Sequence, residues 1–342
     1  MSPCASTPAR MSSASCRWGP RPPNRAPPMP AKKSAVYSFA HEAMATAFEI
    51  FIAGKDEAYA GQAARAAFEE IDRIERLFSR FDPSSETSRM GRLEPGGSLR
   101  VGVETAEVLG LSAFVQSETG GAFDIGYLGL GRRPAGRKLP RPRPLTALLR
   151  IDTDGRGFEA TRLRPKGRAS VPVLDFDLGA VGKGYALDAA LTVLWDWDVR
   201  NVLLHAGTST ALAAGPGPAG SVKEEGWPVG AGSSAGARSG PGRVILRNRA
   251  LSGSGTEVKG AHIVDPRTGR PAGGHAAAWA SHPSAAAADA LSTAFMVMAT
   301  DEVAGFCARH PAVWALVKTG PKTCRIFNAG SIEEKRPAHA RR

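Results

Sequence analysis

From Thr46 to Ala53 the apolar residues Phe48, Ile50 and Ile52 fall at every second position, alternating with Glu49 and Phe51. Successive side chains of a strand point to opposite faces, so a period of two predicts a half-buried strand. The period then lengthens. Between residues 56 and 81, Ala63, Ala67, Ile71, Ile74, Phe78 and Phe81 recur at three- and four-residue steps before Pro83, which predicts an amphipathic helix. Similar spacing predicts helices over 103–118, closed by Gly120-Gly121, and over 184–197. Residues 285–300, alanine-rich and apolar almost all round, predict a buried helix. The β-branched and aliphatic runs Val199 to His205, Val244 to Leu246 and Val313 to Lys318 predict strands. Helices and strands alternate without a strict βαβ repeat, so the expected fold is α+β (mixed α/β), with mixed sheets packed against helices.

Two stretches break the periodic pattern: the basic, proline-containing 131–168 and the Gly/Pro/Ser-rich 214–242. Both are expected to be surface insertions or loops. Residues 1–35 are rich in Pro, Ser, Ala and Arg and cannot bury enough surface to offset their ordering entropy, so a disordered tail is expected there. The folded domain is then expected over 36–325, with 326–342 as a C-terminal tail.

Composition narrows the class. A chain of 342 residues, 42% hydrophobic, is long enough for one or two domains with a sizeable core. It contains neither the ~18-residue apolar run of a membrane span nor the ~7–15-residue apolar core of a secretory signal, and the expected location is cytoplasmic. Cys4, Cys16, Cys307 and Cys324 show neither disulfide-scaffold density nor a Cys-x-x-Cys metal spacing, and read as inert thiols. The net charge of +12 is concentrated: residues 1–33 carry +6 and residues 131–168 carry +9, leaving about −3 for everything else. A near-neutral core gives no electrostatic case for nucleic acid as a partner.

Three segments can carry chemistry. In Asp175-Phe-Asp-Leu-Gly-Ala-Val-Gly-Lys-Gly-Tyr-Ala-Leu-Asp188, a polar strand end meets three glycines and a helix start. Such a turn allows close backbone approach to an anion, and Lys183 adds positive charge; a plain tight turn fits the same residues. Asp289 and Thr293 lie four apart on the predicted buried helix, presenting a carboxylate and a hydroxyl on one face. Both are hard oxygen ligands suited to magnesium, and both fit equally a capping Asp and a Thr bonded back to its own helix. In His262-Ile-Val-Asp-Pro-Arg-Thr-Gly269, Asp265 has the chemistry of a turn, while His262 is either packed or functional.

Taken together and in this order, these segments resemble the ApbE family of FAD:protein FMN transferases. Asp177-Leu-Gly-Ala-Val-Gly-Lys-Gly-Tyr-Ala-Leu-Asp188 is similar to the family's D-L-G-G-I-A-K-G-Y-A-V-D, His262 to Pro271 to H-I-I-D-P-R-T-G-x-P, and Ala288 to Ala294 to A-D-A-L-A-T-A. Met44-Ala-Thr46, Ser79 to Glu86 and Gly120-Gly-Ala-Phe-Asp124 add shorter matches, and the whole resemblance covers roughly residues 40–320. It implies an ApbE-like fold and magnesium-dependent transfer of FMN from FAD to a Thr or Ser hydroxyl of an acceptor protein, releasing AMP. It also implies Asp289, Thr293 and the Ala180 carbonyl as magnesium ligands. Met44, Ala122, Phe123, Asp124, Asp177 and Lys183 would line the FAD site, and His262, beside the flavin phosphate, would take the hydroxyl proton. Departures occur at Ile125 to Leu130, at Gly207-Thr-Ser-Thr210, where an acid is missing, and in the short Leu251-Ser-Gly-Ser-Gly255 segment. The alternatives are an FAD pyrophosphatase, with water replacing the acceptor hydroxyl, and a flavin-binding protein without turnover.

Overall fold

The computed structural model describes residues 35–127, 143–165, 174–218, 226–231, 242–255, 263–320, 323–331 and 333–335. In chain order the elements are β1 (Val36–Ala43), β2 (Thr46–Ala53), α1 (Glu57–Phe78), α2 (Glu86–Gly91), β3 (Ser98–Val101), α3 (Val103–Glu118), β4 (Leu149–Thr153), β5 (Phe158–Arg162), α4 (Gly182–Asp196), β6 (Val202–Ala206), β7 (Thr210–Ala214), β8 (Trp227–Ala231), β9 (Gly242–Leu246), β10 (Arg249–Gly255), β11 (Val264–Asp265), β12 (Arg270–Pro271), β13 (Ala277–His282), α5 (Ala285–Val297), α6 (Thr300–Arg309), β14 (Trp314–Lys318), β15 (Cys324–Phe327) and β16 (Glu333–Lys335). The fold is α+β, as the alternating patterns predict.

Eight strands form the central sheet in the order β1-β2-β6-β7-β10-β13-β14-β15, every neighbouring pair antiparallel. Period-two alternation sends side chains into two separate cores. On one face Phe48, Ile50, Ile52, Val202, Leu204, Leu212, Ala315 and Val317 pack under the helices. On the other, Leu203, Ala211, Ala213, Trp314 and Leu316 meet Trp227, Val229, Val244 and Leu246, from the small sheet β16-β9-β8. Each fully buried Ile or Phe contributes about 1.5–3 kcal/mol.

The helical layer is α1, α4 and α5. Helix α1 starts where Asp56 accepts from the Tyr59 amide at 3.0 Å, and buries Ala60, Ala63, Ala64, Ala67, Ile71, Ile74 and Phe78. The small alanines let α4 pack against it. Helix α5 is buried along nearly its whole length, as its composition predicts, and lies over β7, β10 and β13.

Several expectations are corrected. Phe81 is not on the buried face of α1 but 81% exposed, because the helix ends at Phe78. The helix expected over 285–300 stops at Val297, where Met298 turns extended, and α6 starts anew at Thr300. Within 131–168, β4 and β5 form a three-stranded sheet with β3, and within 214–242 lies β8. Beyond residue 325, β15 continues to Phe327 and β16 pairs with β9, so the expected C-terminal tail contains strand. The N-terminal tail lies outside the described residues except for residue 35.

Candidate functional site

The glycine-rich turn of residues 177–182 starts α4. At its head Asp177 Oδ1 accepts from the Gly179 amide at 2.8 Å, an Asx turn that sets the chain's direction into the helix. Its Oδ2 lies 3.8 Å from the Arg80 guanidinium. The Asp177 amide donates to the Ile125 carbonyl at 2.8 Å, which ties this turn to the loop carrying Ala122, Phe123 and Asp124. Asp124 Oδ1 accepts from the Gly126 amide at 2.8 Å, and burial pushes its carboxyl above the ordinary range despite that bond. The side chains of Ala122 and Phe123 point into the main core, 1% and 2% exposed. Beside this loop, the end of α3, Gly120, Gly121, Pro144 and Arg267 line a cavity of about 550 Å³.

Helix α4 has no side-chain cap of its own at Val181, and the first-turn amides of a helix need acceptors from elsewhere. Asp289 on α5 supplies one: its Oδ2 accepts from the Gly184 amide at 3.2 Å. Asp289 is 4% exposed, and its Oδ1 accepts from Thr210 and Ser252 hydroxyls, each at 3.3 Å. Lys183 Nζ stands 3.7 Å from Asp289 Oδ2 and donates to the Gly179 carbonyl. Thr293, one turn beyond Asp289, donates weakly to the Asp289 carbonyl at 3.4 Å. The two sequence readings of the pair therefore overlap: Asp289 caps a helix, but the helix is α4, and Thr293 does bond back.

Hydroxyls extend this centre. Ser252 meets Thr210 at 2.9 Å and Ser292 at 3.2 Å, and Ser254 meets Ser292 at 2.9 Å and Thr293 at 3.3 Å. Thr210 and Ser252 are cross-strand partners of β7 and β10. These serines and Thr210 were not expected as site residues. The available signal was the pair Ser252 and Ser254, two apart on a strand and therefore on one face.

Met44 occupies the turn between β1 and β2, where it and Ala45 have positive φ, 50° and 57°. Its amide donates to Glu75 at 2.9 Å. The neighbouring Ala47 carbonyl accepts from the Gly207 amide at 2.8 Å, which brings this turn beside the β6–β7 turn leading to Thr210. Asp177 and Ala180 thus lie in the turn and Lys183 in the first turn of α4 after it, Asp289 reaches that helix start from α5 with Thr293 one turn further on, the Asp124 loop is tied to the turn through Ile125, and the Met44 turn meets the β6–β7 turn. His262 lies outside the described residues. Asp265 after it holds a turn as read, accepting from the Arg267 amide at 2.9 Å and, through its carbonyl, from the Gly269 amide at 2.7 Å.

Among the described residues no three His, Cys, Asp or Glu side chains gather as a metal-binding group. Asp289 offers a carboxylate and Thr293 a hydroxyl, oxygen donors of the kind that suit magnesium together with water and phosphate oxygens. Among the same residues no helix is long and apolar enough to cross a membrane.

Fold and site define an α+β protein with a buried carboxylate beside a glycine-rich helix start. The ApbE family model matches residues 44–317, and the chain belongs to the ApbE family. It is similar to the apo flavinyl transferase ApbE of Pseudomonas stutzeri (21% identity, TM-score 0.65, covering 88% of this chain and 98% of that one). It is also similar to the flavin transferase ApbE of Vibrio cholerae (18%, 0.67, 87% and 98%) and the ApbE protein of Thermotoga maritima (22%, 0.69, 88% and 100%). At these identities the likeness establishes the fold. No curated protein matches the sequence.

Proposed function

We infer that this transferase moves the FMN half of FAD onto a Thr or Ser hydroxyl of an acceptor protein, releasing AMP, with magnesium held at Asp289. One observation carries the reading: a cation, the Lys183 ammonium, already lies between the Gly179 carbonyl and the buried Asp289 carboxylate. Family membership, and structural neighbours that are flavin transferases, support this substrate.

Asp289, Thr293 and the Ala180 carbonyl would hold the ion, which when bound would neutralise charge on the pyrophosphate and on the leaving AMP. Lys183, one residue into α4, would attract a phosphate oxygen. Arg80 pairs with Asp177 at 3.8 Å and stacks its guanidinium on Phe81 at 4.5 Å from the ring centroid. In the reaction the acceptor oxygen forms a bond to the FMN phosphorus, the phosphorus bond to the AMP oxygen breaks, and the hydroxyl proton goes to a base. His262 is the proposed base, because imidazole is the side chain whose ordinary pKa lies nearest neutrality.

The test is incubation of pure protein with FAD and magnesium, with and without an acceptor bearing a Thr or Ser site, following AMP and acceptor mass. The expected result is AMP release that needs magnesium and matches acceptor labelling. Equal AMP release without acceptor would mark a pyrophosphatase, and FAD retained without AMP under both conditions would overturn catalysis.

A further inference from the structure

The four acceptor positions of the Asp289 carboxylate are not equivalent. An ionised carboxylate offers about four lone-pair sites, and here each faces one partner: Thr210 and Ser252 on Oδ1, the Gly184 amide and Lys183 on Oδ2. Three of these partners cannot leave. Thr210 and Ser252 are 2% and 0% exposed and directly opposite each other on β7 and β10. The Gly184 amide is backbone, at a contact so close that a Cβ on Gly184 would lie 2.2 Å from the Ala285 carbonyl. Lys183 differs in each respect. Its ammonium ends a flexible stem, is 21% exposed, and stands beyond hydrogen-bond reach of Asp289 while bonding to Gly179.

We propose that Lys183 is a resident cation that a divalent ion displaces from Asp289, so that metal entry and delivery of the ammonium to a phosphate are one exchange. The proposal rests on the reading of Asp289 as a magnesium ligand. Two cations at a single carboxylate repel each other, and the ammonium is the one free to move. Without nucleotide it opposes the metal; with a phosphate to receive it, the opposition ends. Nucleotide and metal therefore strengthen each other's binding, and by linkage they do so equally.

Titration of the full chain with Mn2+, free ion followed by electron paramagnetic resonance, tests this without reference to turnover. In the absence of nucleotide, Lys183→Gln should bind Mn2+ about tenfold more tightly than wild type, equivalent to about 1.4 kcal/mol. Lys183→Arg, which keeps the charge, should bind as weakly as wild type, and Asp289→Asn should lose the site. Adding FAD should tighten Mn2+ binding in wild type far more than in Lys183→Gln. Lys183→Met serves as a second neutral variant should the glutamine variant not fold. Unchanged or weaker Mn2+ binding in the neutral variants, with binding still abolished in Asp289→Asn, would overturn the exchange and leave the ligand reading intact. Binding in Asp289→Asn equal to wild type would overturn both.

Discussion

Helices α4 and α5 exchange aspartates. Asp188 of α4 caps the start of α5, accepting from the Ser284 hydroxyl at 2.7 Å and from the Ala285 and Ala286 amides at 2.8 and 3.0 Å. Asp289 of α5 reaches back to the Gly184 amide in the first turn of α4. The two carboxylates are of the same type, lie on adjacent helices and act on each other's N-terminus, where negative charge is favoured. They differ in what else they hold. Every partner shown for Asp188 is fixed in the fold, so the carboxylate is a clasp. Asp289 has three fixed partners and one side-chain ammonium, the one that the exchange proposed above would release. Burial alone does not separate a structural carboxylate from a functional one; the exchangeability of its partners does.

The comparison breaks most sharply at Asp289→Asn. The amide keeps shape and one acceptor oxygen but loses the charge that the proposed metal site would need, and Lewis-acid stabilisation is worth several kcal/mol. Acceptor labelling should fall about 1000-fold, or about 4 kcal/mol. Thermal melting should show a cost of only about 1 kcal/mol, the size of one lost hydrogen bond. Labelling at the wild-type rate would make Asp289 a second clasp. Gly184→Ala attacks both carboxylates together, because the added methyl would meet the Ala285 carbonyl at 2.2 Å. Backbone must shift, so urea unfolding should report a loss of about 3 kcal/mol; a loss below about 1 kcal/mol would show that the helices separate easily.

Much of this frame was legible in the sequence, and the misses have physical reasons. Helix α1 and strand β2 show because one face of each is apolar at the right period. Strand β1 is an edge strand with little buried surface, and so carries no strong pattern. Strands β4 and β5 hide inside a basic stretch because their small sheet leaves Arg150, Asp152 and Glu159 in contact with water, although Arg162 is buried. Strand β13 places alanines on the core, and alanine has low strand propensity. At the site, the spacing of Asp289 and Thr293 is local and visible. The partnership of Asp289 with Gly184 spans 105 positions and leaves no local trace; only the resemblance brought the two segments together.

A subtler difference is in protonation. Burial pushes the Asp188 carboxyl up to about 6 from its ordinary 3.8, outweighing its three hydrogen bonds. Between those values the native chain holds a proton that the unfolded chain has released. The resulting stabilisation is fully present below about pH 4, declines as pH rises, and is gone above about pH 6. The stability of wild type minus that of Asp188→Asn should therefore fall between pH 4 and 7, by at most about 3 kcal/mol at 1.36 kcal/mol per unit. Equilibrium unfolding at both pH values measures it; a constant difference would show that the cap bonds hold the carboxyl at its ordinary value.

The smallest effects compare one hydroxyl from each clasp. Ser284 donates to Asp188 and accepts from the Ala287 amide at 3.2 Å, whereas Ser252 donates to Asp289 and joins Thr210 and Ser292. Removing either costs one buried hydrogen-bonded hydroxyl, so Ser284→Ala and Ser252→Ala should each lose about 1 kcal/mol of stability. Their consequences for function should separate. Without Ser252, Oδ1 is held by Thr210 alone and the carboxylate can rotate away from the direction a metal needs, so labelling at limiting magnesium should drop several-fold and recover at high magnesium. Without Ser284, the start of α5 loosens while Asp289 keeps all four partners, and magnesium dependence should match wild type. Titration of labelling rate against magnesium for the two variants decides the matter: identical curves would mean that the hydroxyls around Asp289 only stabilise the fold, as those around Asp188 do.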